Sequence, residues 1–443
     1  MLKTLYTIPH EILGLPLFGL GWLAILWLVG GLLFFGFLYK AEGTFSANAK
    51  GHLPLYFLIL AIILFLLPNL EEPIIRSENG QALGGGGLAI RGYGFMMLLA
   101  VLSGVGLALW RGKKAGLLPE TIFSSSLWMV VGGIVGGRLF YTLQYFEGFL
   151  RYEQNSLDIR ATIFAFLNVS QGGLVVYGAA IGAILALAIF CSREKIRLLK
   201  ILDVIAPSLF VGLALGRIGC LLNGCCFGGY CENPTLGFHF PEGSPPYIRQ
   251  LEEGAFEGFL LTTAKTEDGV DLVVGEVYPG MIAEENRLMK GTILREINDA
   301  QFPEKNRLTQ EEILIQGRKE LTRFTTLRLR DDQGNRYQWV RPERPTESLP
   351  VHPTQLYSAG AAFALAFILI VYTPFRLAEG AVFALGMTIY PVIRILLEIV
   401  RTDEPGFAGS LLTVSQWVSV ILFLATLSLW GYLFSKWRQS QSG

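Results

Sequence analysis

Two stretches of this chain, Ile12–Tyr39 and Leu53–Leu70, contain no charged residue. Roughly 20 apolar residues suffice to cross a hydrocarbon core. Backbone that meets lipid must satisfy its own hydrogen bonds, which a helix does within one segment. The fold class follows: an all-α polytopic membrane protein. Composition agrees, with 52% hydrophobic and 16% charged residues against about 25% charged in soluble domains. The first run exceeds the ~7–15 residues of a signal-peptide core and no small-residue cleavage site follows it, so it is read as retained. Basic and acidic residues balance at 36 each, which offers no field for a nucleic-acid partner.

Hydropathy predicts nine helices, near 12–39, 53–70, 88–110, 121–146, 172–191, 203–224, 355–373, 378–400 and 411–435. Basic residues follow alternate helices: Lys40 and Lys50, then Arg111, Lys113 and Lys114, then Arg193, Lys195, Arg197 and Lys200, then Arg376, then Lys436 and Arg438. The positive-inside rule places those ends in the cytoplasm. The N-terminus is then outside and the C-terminus inside.

Between the sixth and seventh helices lies a polar insert, residues 232–350, on the outer side. It carries about half of the charged residues and reads as a separate α+β domain. Strand patterns occur at Phe259–Ala264, Val270–Val277, Phe324–Arg330 and Arg336–Arg341. Thr309 with Glu312 three residues on reads as a capping box opening a helix to about Glu320. Pro279-Gly280-Met281-Ile282-Ala283-Glu284, followed by Gly291-Thr292-Ile293-Leu294 and Ile297-Asn298, resembles a PDZ domain over about 256–341. That resemblance implies an extended peptide as partner, added at a sheet edge. The alternative is a β-rich cap that only shields the membrane site.

The remaining signal is polar residues inside apolar helices, where an arginine costs about 2.5–3.5 kcal/mol unless paired or used. Arg217 opens Arg217-Ile218-Gly219-Cys220-Leu221-Leu222-Asn223-Gly224-Cys225-Cys226 near the outer end of helix six. Helix eight carries Tyr390, Arg394 and Glu398 on one face, at i, i+4 and i+8. Arg138 comes late in helix four, while Tyr93 and Tyr177 come early in helices three and five. With the orientation above, all lie at outer-leaflet depth. Planar guanidiniums suit a phosphate through paired donors. Arg394 with Glu398 also has a plain reading as a structural ion pair. Glycine pairs Gly136-Gly137, Gly172-Gly173 and Gly228-Gly229 permit close approach of helices or lipid. Four of the five cysteines, Cys220, Cys225, Cys226 and Cys231, fall in one short segment. Their C-x4-C-C-x4-C spacing is not a standard zinc pattern. On the oxidising side a structural disulfide or inert thiols are expected, with no metal and no cofactor.

Six ordered motifs together resemble the prolipoprotein diacylglyceryl transferase family: Arg91-Gly92-Tyr93-Gly94, Gly136-Gly137-Arg138-Leu139-Phe140-Tyr141, Gly172-Gly173-Leu174-Val175-Val176-Tyr177-Gly178, Gly216-Arg217-Ile218-Gly219 with Asn223-Gly224, His352-Pro353-Thr354-Gln355-Leu356-Tyr357, and Tyr390-x-x-x-Arg394-x-x-x-Glu398. The resemblance covers about Ile90–Gly229 and Val351–Trp437. It implies transfer of the diacylglyceryl group of phosphatidylglycerol to the lipobox cysteine of a preprolipoprotein, releasing glycerol phosphate. It implies a bacterial cytoplasmic (inner) membrane location, with the insert extracytoplasmic. It assigns Arg217, Arg394, Glu398 and Tyr177 to catalysis, and Arg138, Arg217, Tyr93, Tyr390, Asn223 and Gly228 to lipid or phosphate binding. Cys220 and Cys225 stand where the family places Asn and Glu, so no role carries over to them. The expected organisation is two extra helices in 1–87, a seven-helix core in 88–231 and 351–437, and the insert between. Competing readings are a non-catalytic phospholipid-binding scaffold and a membrane thiol oxidoreductase.

Overall fold

The computed structural model describes residues 4–42, 53, 56–71, 75–76, 82–84, 86–150, 152–153, 156–160, 162, 165, 173, 175–233, 235–266, 269–298, 300–302, 309–323, 325–401 and 412–441. Contacts divide the chain into residues 2–95 and a larger unit from Met96 onward.

In the smaller unit, strand β1 (Thr4–Pro9) leads to helix α1 (Trp22–Glu42), a shorter apolar helix α2 (Tyr56–Asn69) and strand β2 (Gly87–Arg91). Helix α2 packs back along α1. Tyr56 stacks on Trp27 with centroids 5.5 Å apart and its hydroxyl donates to Trp27 O, while Gly19 N donates to Ile63 O. Strands β1 and β2 pair antiparallel, from Pro9 opposite Gly87 to Thr4 opposite Arg91.

Eight helices among the described residues are long and apolar enough to span a membrane. The expected span over 53–70 is the short helix α2, whose Ile62–Leu66 stretch is π-helical and whose end carries Pro68. At about 1.5 Å per residue its described length falls short of the ~30 Å core.

The larger unit contains most of α3 (Gly92–Lys114), then α4 (Pro119–Gln144), α5 (Val176–Arg193) and α6 (Leu198–Asn223). Helices α4 and α5 meet through glycine. A Cβ on Gly182 would sit 2.2 Å from Gly132 O, and one on Gly136 would sit 2.4 Å from Gly178 O. Backbones this close are what small residues four apart allow in membranes. Gly182→Leu is expected to destabilise the protein by about 1–3 kcal/mol through overpacking. Thermal melting in detergent checks it, and an unchanged midpoint would refute the contact.

Next come α7 (Pro245–Glu253) and the insert: β3 (Phe259–Thr266), β4 (Gly269–Val277), α8 (Ile282–Glu285), β5 (Ile293–Ile297), β6 (Ala300–Gln301), α9 (Gln310–Arg323), β7 (Thr326–Asp331) and β8 (Arg336–Val340). The sheet is antiparallel in the order β8-β7-β5-β4-β3, with β6 on β5. Alternation along β7 buries Leu327 and Leu329 against Phe259, Leu272, Ile313 and Trp339. The capping box forms as expected: Glu312 Oε2 accepts from Thr309 N at 2.8 Å, and Glu312 N donates back to Thr309 Oγ1 at 3.3 Å. Strand β5 was not expected from the sequence, and Phe324 lies outside the described residues.

Asp331 closes the β7–β8 turn, accepting from Asn335 N at 2.7 Å, Gln333 N at 3.0 Å and the Tyr337 hydroxyl at 3.1 Å. Burial raises its pKa, but those donors outweigh it and hold the carboxyl below its usual range. A depressed folded value gives stability that is present above the unfolded pKa and lost as pH falls through the folded one. Asp331→Ala is expected to cost the insert about 1–3 kcal/mol at neutral pH. The gap to wild type should close once pH drops below the carboxylate range; melting curves at pH 7 and pH 3 read both.

Helices α10 (Thr354–Tyr372), α11 (Ala381–Val400) and α12 (Val414–Gln441) complete the chain. Buried Asp203, near the start of α6, accepts from Gly380 N at 2.8 Å and Phe383 N at 2.9 Å, capping the start of α11. Arg111 braces the same point by donating to Asp203 O, Val204 O and the Thr373 hydroxyl. Helices α6 and α11 are thus tied together at their first turns and run the same way. Arg217 lies fourteen residues beyond Asp203, and Arg394 fourteen beyond Gly380. At 1.5 Å per residue both reach about 21 Å from the tie, hence one depth.

Candidate active site

Helix α6 ends in a turn that reverses the chain over its own last residues. Gly224 takes a left-handed conformation (φ 76°), and Cys225 N donates to Cys220 O at 3.1 Å. That 6→1 bond is a Schellman-type end, and glycine meets its conformational demand without a Cβ penalty. The following segment is sewn to the start of α10. Gln355 Nε2 donates to Cys225 O and the Thr354 hydroxyl to Cys226 O, both at 2.7 Å. Gly228 N donates to His352 O, and His352 N to Gly229 O. A Cβ on Gly228 would meet His352 Cβ at 2.8 Å.

Arg217, Cys226, Thr354, Ser358, Arg394 and Arg401 line one cleft at the turn. Arg394 forms an ion pair with Glu398, whose side chain is 1% exposed, and donates to Ser415 Oγ at 2.7 Å. The Tyr177 hydroxyl meets the same Ser415 Oγ at 3.3 Å. Glu398 also accepts from the Thr413 hydroxyl at 3.1 Å. Thr413 is in turn fixed by a reciprocal cap with Gln416. Arg394 is therefore neutralised and aimed from three helices. Among the described residues, no carboxylate or hydrogen-bond acceptor engages Arg217. The cleft keeps a guanidinium ready for an anion.

Beside the cleft lies an apolar cavity of about 1080 Å³, with Phe140, Tyr177, Phe210, Leu213, Tyr390 and Val418 in its wall. Tyr177 belongs to both, its ring in the cavity wall and its hydroxyl on the serine that Arg394 holds. Tyr390 packs on Phe210 at 5.7 Å. A cationic cleft against an apolar chamber matches a molecule with an anionic head and hydrocarbon chains.

Arg138, Asn223 and Gly228 are not among the residues that line the cleft. Arg138 donates to Gly173 O at 3.3 Å and Ala165 O at 2.8 Å, with its guanidinium over Phe149. It engages those two carbonyls and is not among the residues that line the cleft. Asn223 is exposed at the end of α6, and Gly228 serves backbone pairing. Tyr93 belongs to the smaller unit. Gly172 and Leu174 lie outside the described residues. All five cysteines are free thiols. The Cys220, Cys225 and Cys226 sulfurs lie within 4.8 Å of one another. Cys231 is separate, its sulfur on Asn233 O and its N–H on Pro350 O. Of the two expectations, the structure holds the four as free thiols, with Cys231 set apart by its backbone pairing to Pro350. Sequence reasoning missed Arg401, Ser415 and Thr413. Thr413-x-x-Gln416 carried a capping signal, and Arg401 lies two turns beyond Arg394.

Residues 81–432 match the family described as "Prolipoprotein diacylglyceryl transferase". A phosphatidylglycerol–prolipoprotein diacylglyceryl transferase of Rhodopirellula baltica is 33% identical over 99% of this chain and 90% of its own length. One of the same name from Clostridium tetani is 25% identical over 80% of this chain and 96% of its own. One from Rickettsia conorii is 34% identical over 44% and 70%.

Proposed function

Since the chain belongs to the prolipoprotein diacylglyceryl transferase family, we propose that Arg217 and Arg394 clamp the phosphate of phosphatidylglycerol while the neighbouring cavity takes its acyl chains. The protein is a membrane-embedded enzyme that transfers a diacylglyceryl group to prolipoproteins. The single observation carrying the site reading is the cleft where Arg217 and Arg394 converge beside an apolar chamber.

In this reading the substrate thiolate attacks the glyceryl carbon bonded to the phosphate oxygen. A carbon–sulfur bond forms, the carbon–oxygen bond breaks, and its electron pair leaves on glycerol phosphate. The two guanidiniums stabilise that departing charge, an electrostatic effect largest where donors are already in place. Glu398, Ser415 and Thr413 position Arg394. Tyr177 and Tyr390 line the lipid's path.

Topology is part of the proposal. Strand β1 is joined to α1 through the short hairpin of Glu11–Ile12 with Leu15–Pro16, and its partner β2 directly precedes α3. Both helix starts then share one side, and α1 and α2 form an out-and-back pair. With the basic residues after α1, α3 and α5, this supports an outer cleft and a cytoplasmic C-terminus in the inner membrane. The insert is proposed to be PDZ-like. Strand β3 is an edge of its sheet and packs beside α9, Gln310 Nε2 donating to Thr263 Oγ1, an arrangement that accepts an extended peptide as an added strand.

Full-length protein in phosphatidylglycerol vesicles, incubated with a lipobox-cysteine peptide, is expected to yield a peptide heavier by one diacylglyceryl group. A serine peptide and phosphatidylethanolamine vesicles should yield none. Absence of the thioether product from well-folded protein would sink the reading.

A further inference from the structure

The transfer needs a thiolate, yet a free cysteine thiol has a pKa of about 8.5 and is largely protonated near neutrality. Nothing already placed at the cleft supplies the base. Glu398 is committed to Arg394 and Thr413, and the Tyr177 hydroxyl to Ser415. Neither histidine nor carboxylate lines the cleft among the described residues.

What does stand there is the sulfur cluster. The reversed end of α6 folds Cys225 and Cys226 back over Cys220, bringing the three sulfurs within 4.8 Å of one another. Tetrahedral zinc–sulfur bonds of about 2.3 Å separate their sulfurs by about 3.8 Å, so small side-chain rotations close the set. The two carbonyls fixed by Gln355 and Thr354 hold the loop in that pose. Cys226 lines the same cleft as Arg217 and Arg394. Linear C-x4-C-C spacing conceals the set, because the left-handed turn at Gly224 creates it.

We propose that Cys220, Cys225 and Cys226 bind one zinc ion whose fourth position takes the cysteine thiol of the prolipoprotein and delivers it as thiolate to the phosphate clamp. Three protein ligands with one open position is the arrangement of catalytic zinc. A thiol that coordinates a metal gives up its proton. On binding, the substrate thiol releases its proton to water. The zinc-bound sulfur then bonds the glyceryl carbon as the carbon–oxygen bond breaks, and glycerol phosphate leaves with the electron pair beside Arg217 and Arg394. No oxidant or reductant enters. Three thiolates outweigh the dication, so the site stays net negative beside the guanidiniums. The proposal rests on the transferase reading for its substrate but not for the metal site.

The test uses reduced, chelator-stripped, full-length protein in phosphatidylglycerol nanodiscs, titrated with zinc(II) and, as a spectroscopic probe, cobalt(II). One zinc per chain is expected, with thiolate-to-cobalt charge-transfer absorption. Both should be lost in the C220S/C225S/C226S variant. Adding a lipobox-cysteine peptide should shift the cobalt bands through a fourth thiolate, and a serine peptide should not. Equal zinc uptake by the triple variant would overturn the proposal, as would a disulfide among the three cysteines in membranes. Cobalt bands that ignore the cysteine peptide would equally overturn delivery of the thiol. The two readings fail separately. Full transfer by the stripped triple variant removes the zinc site and leaves the transferase. Stoichiometric zinc without thioether product from the loaded enzyme leaves the site and removes the transferase.

Discussion

Arg217→Ala is expected to lower diacylglyceryl transfer by about 10²–10³-fold, the loss seen when one preorganised donor to a developing anion is removed. Stability should hardly change, because no carboxylate or acceptor among the described residues relies on this guanidinium. Arg217→Lys should recover only part of the rate, since an ammonium is a point charge without a planar fork. Transfer to a lipobox peptide, followed by mass, gives the rate, and melting in the same detergent gives the fold. A variant within threefold of wild type would remove Arg217 from the clamp.

The second large effect is the reverse, a loss of stability first. Glu398→Ala leaves the Arg394 guanidinium in a site where its side chain is only 14% exposed. Removing one partner of a buried pair costs about 3–5 kcal/mol, mostly from the charge left behind. The double variant Arg394→Ala/Glu398→Ala should therefore melt higher than Glu398→Ala alone, though it should not transfer. If the two losses simply add, the pair is not coupled and the positioning role of Glu398 falls. Glu398→Gln keeps the shape and an acceptor for Thr413, and should lie between wild type and Glu398→Ala.

Much of this was readable in the chain because it is periodic. Charge-free runs marked the long helices, and the i, i+4, i+8 spacing of Tyr390, Arg394 and Glu398 put them on one face. Alternation gave strands β3, β4 and β8, and Thr309 with Glu312 gave the start of α9. What escaped depends on contacts between distant residues. Asp203 is one acid in an apolar helix, and its role shows only when the amides of Gly380 and Phe383 meet it. Arg138 looked equivalent to Arg217, but the carbonyls of Ala165 and Gly173 engage it. The π-helical stretch of α2 left no mark in hydropathy. The linear spacing of the cysteines says nothing of the chain reversal that gathers three of them.

The pairing of β1 with β2 has a consequence for biosynthesis. Strand β1 leaves the ribosome first, and its partner follows about 80 residues later, roughly 4–16 s at 5–20 residues per second. Throughout that interval β1 presents an unpaired edge, which is open to wrong partners. The correct partner reaches it only after α1 and α2 have been made. A nascent chain that has misplaced its first helical hairpin cannot close this ladder. Release of α3 into the bilayer would follow from a start that has already been verified.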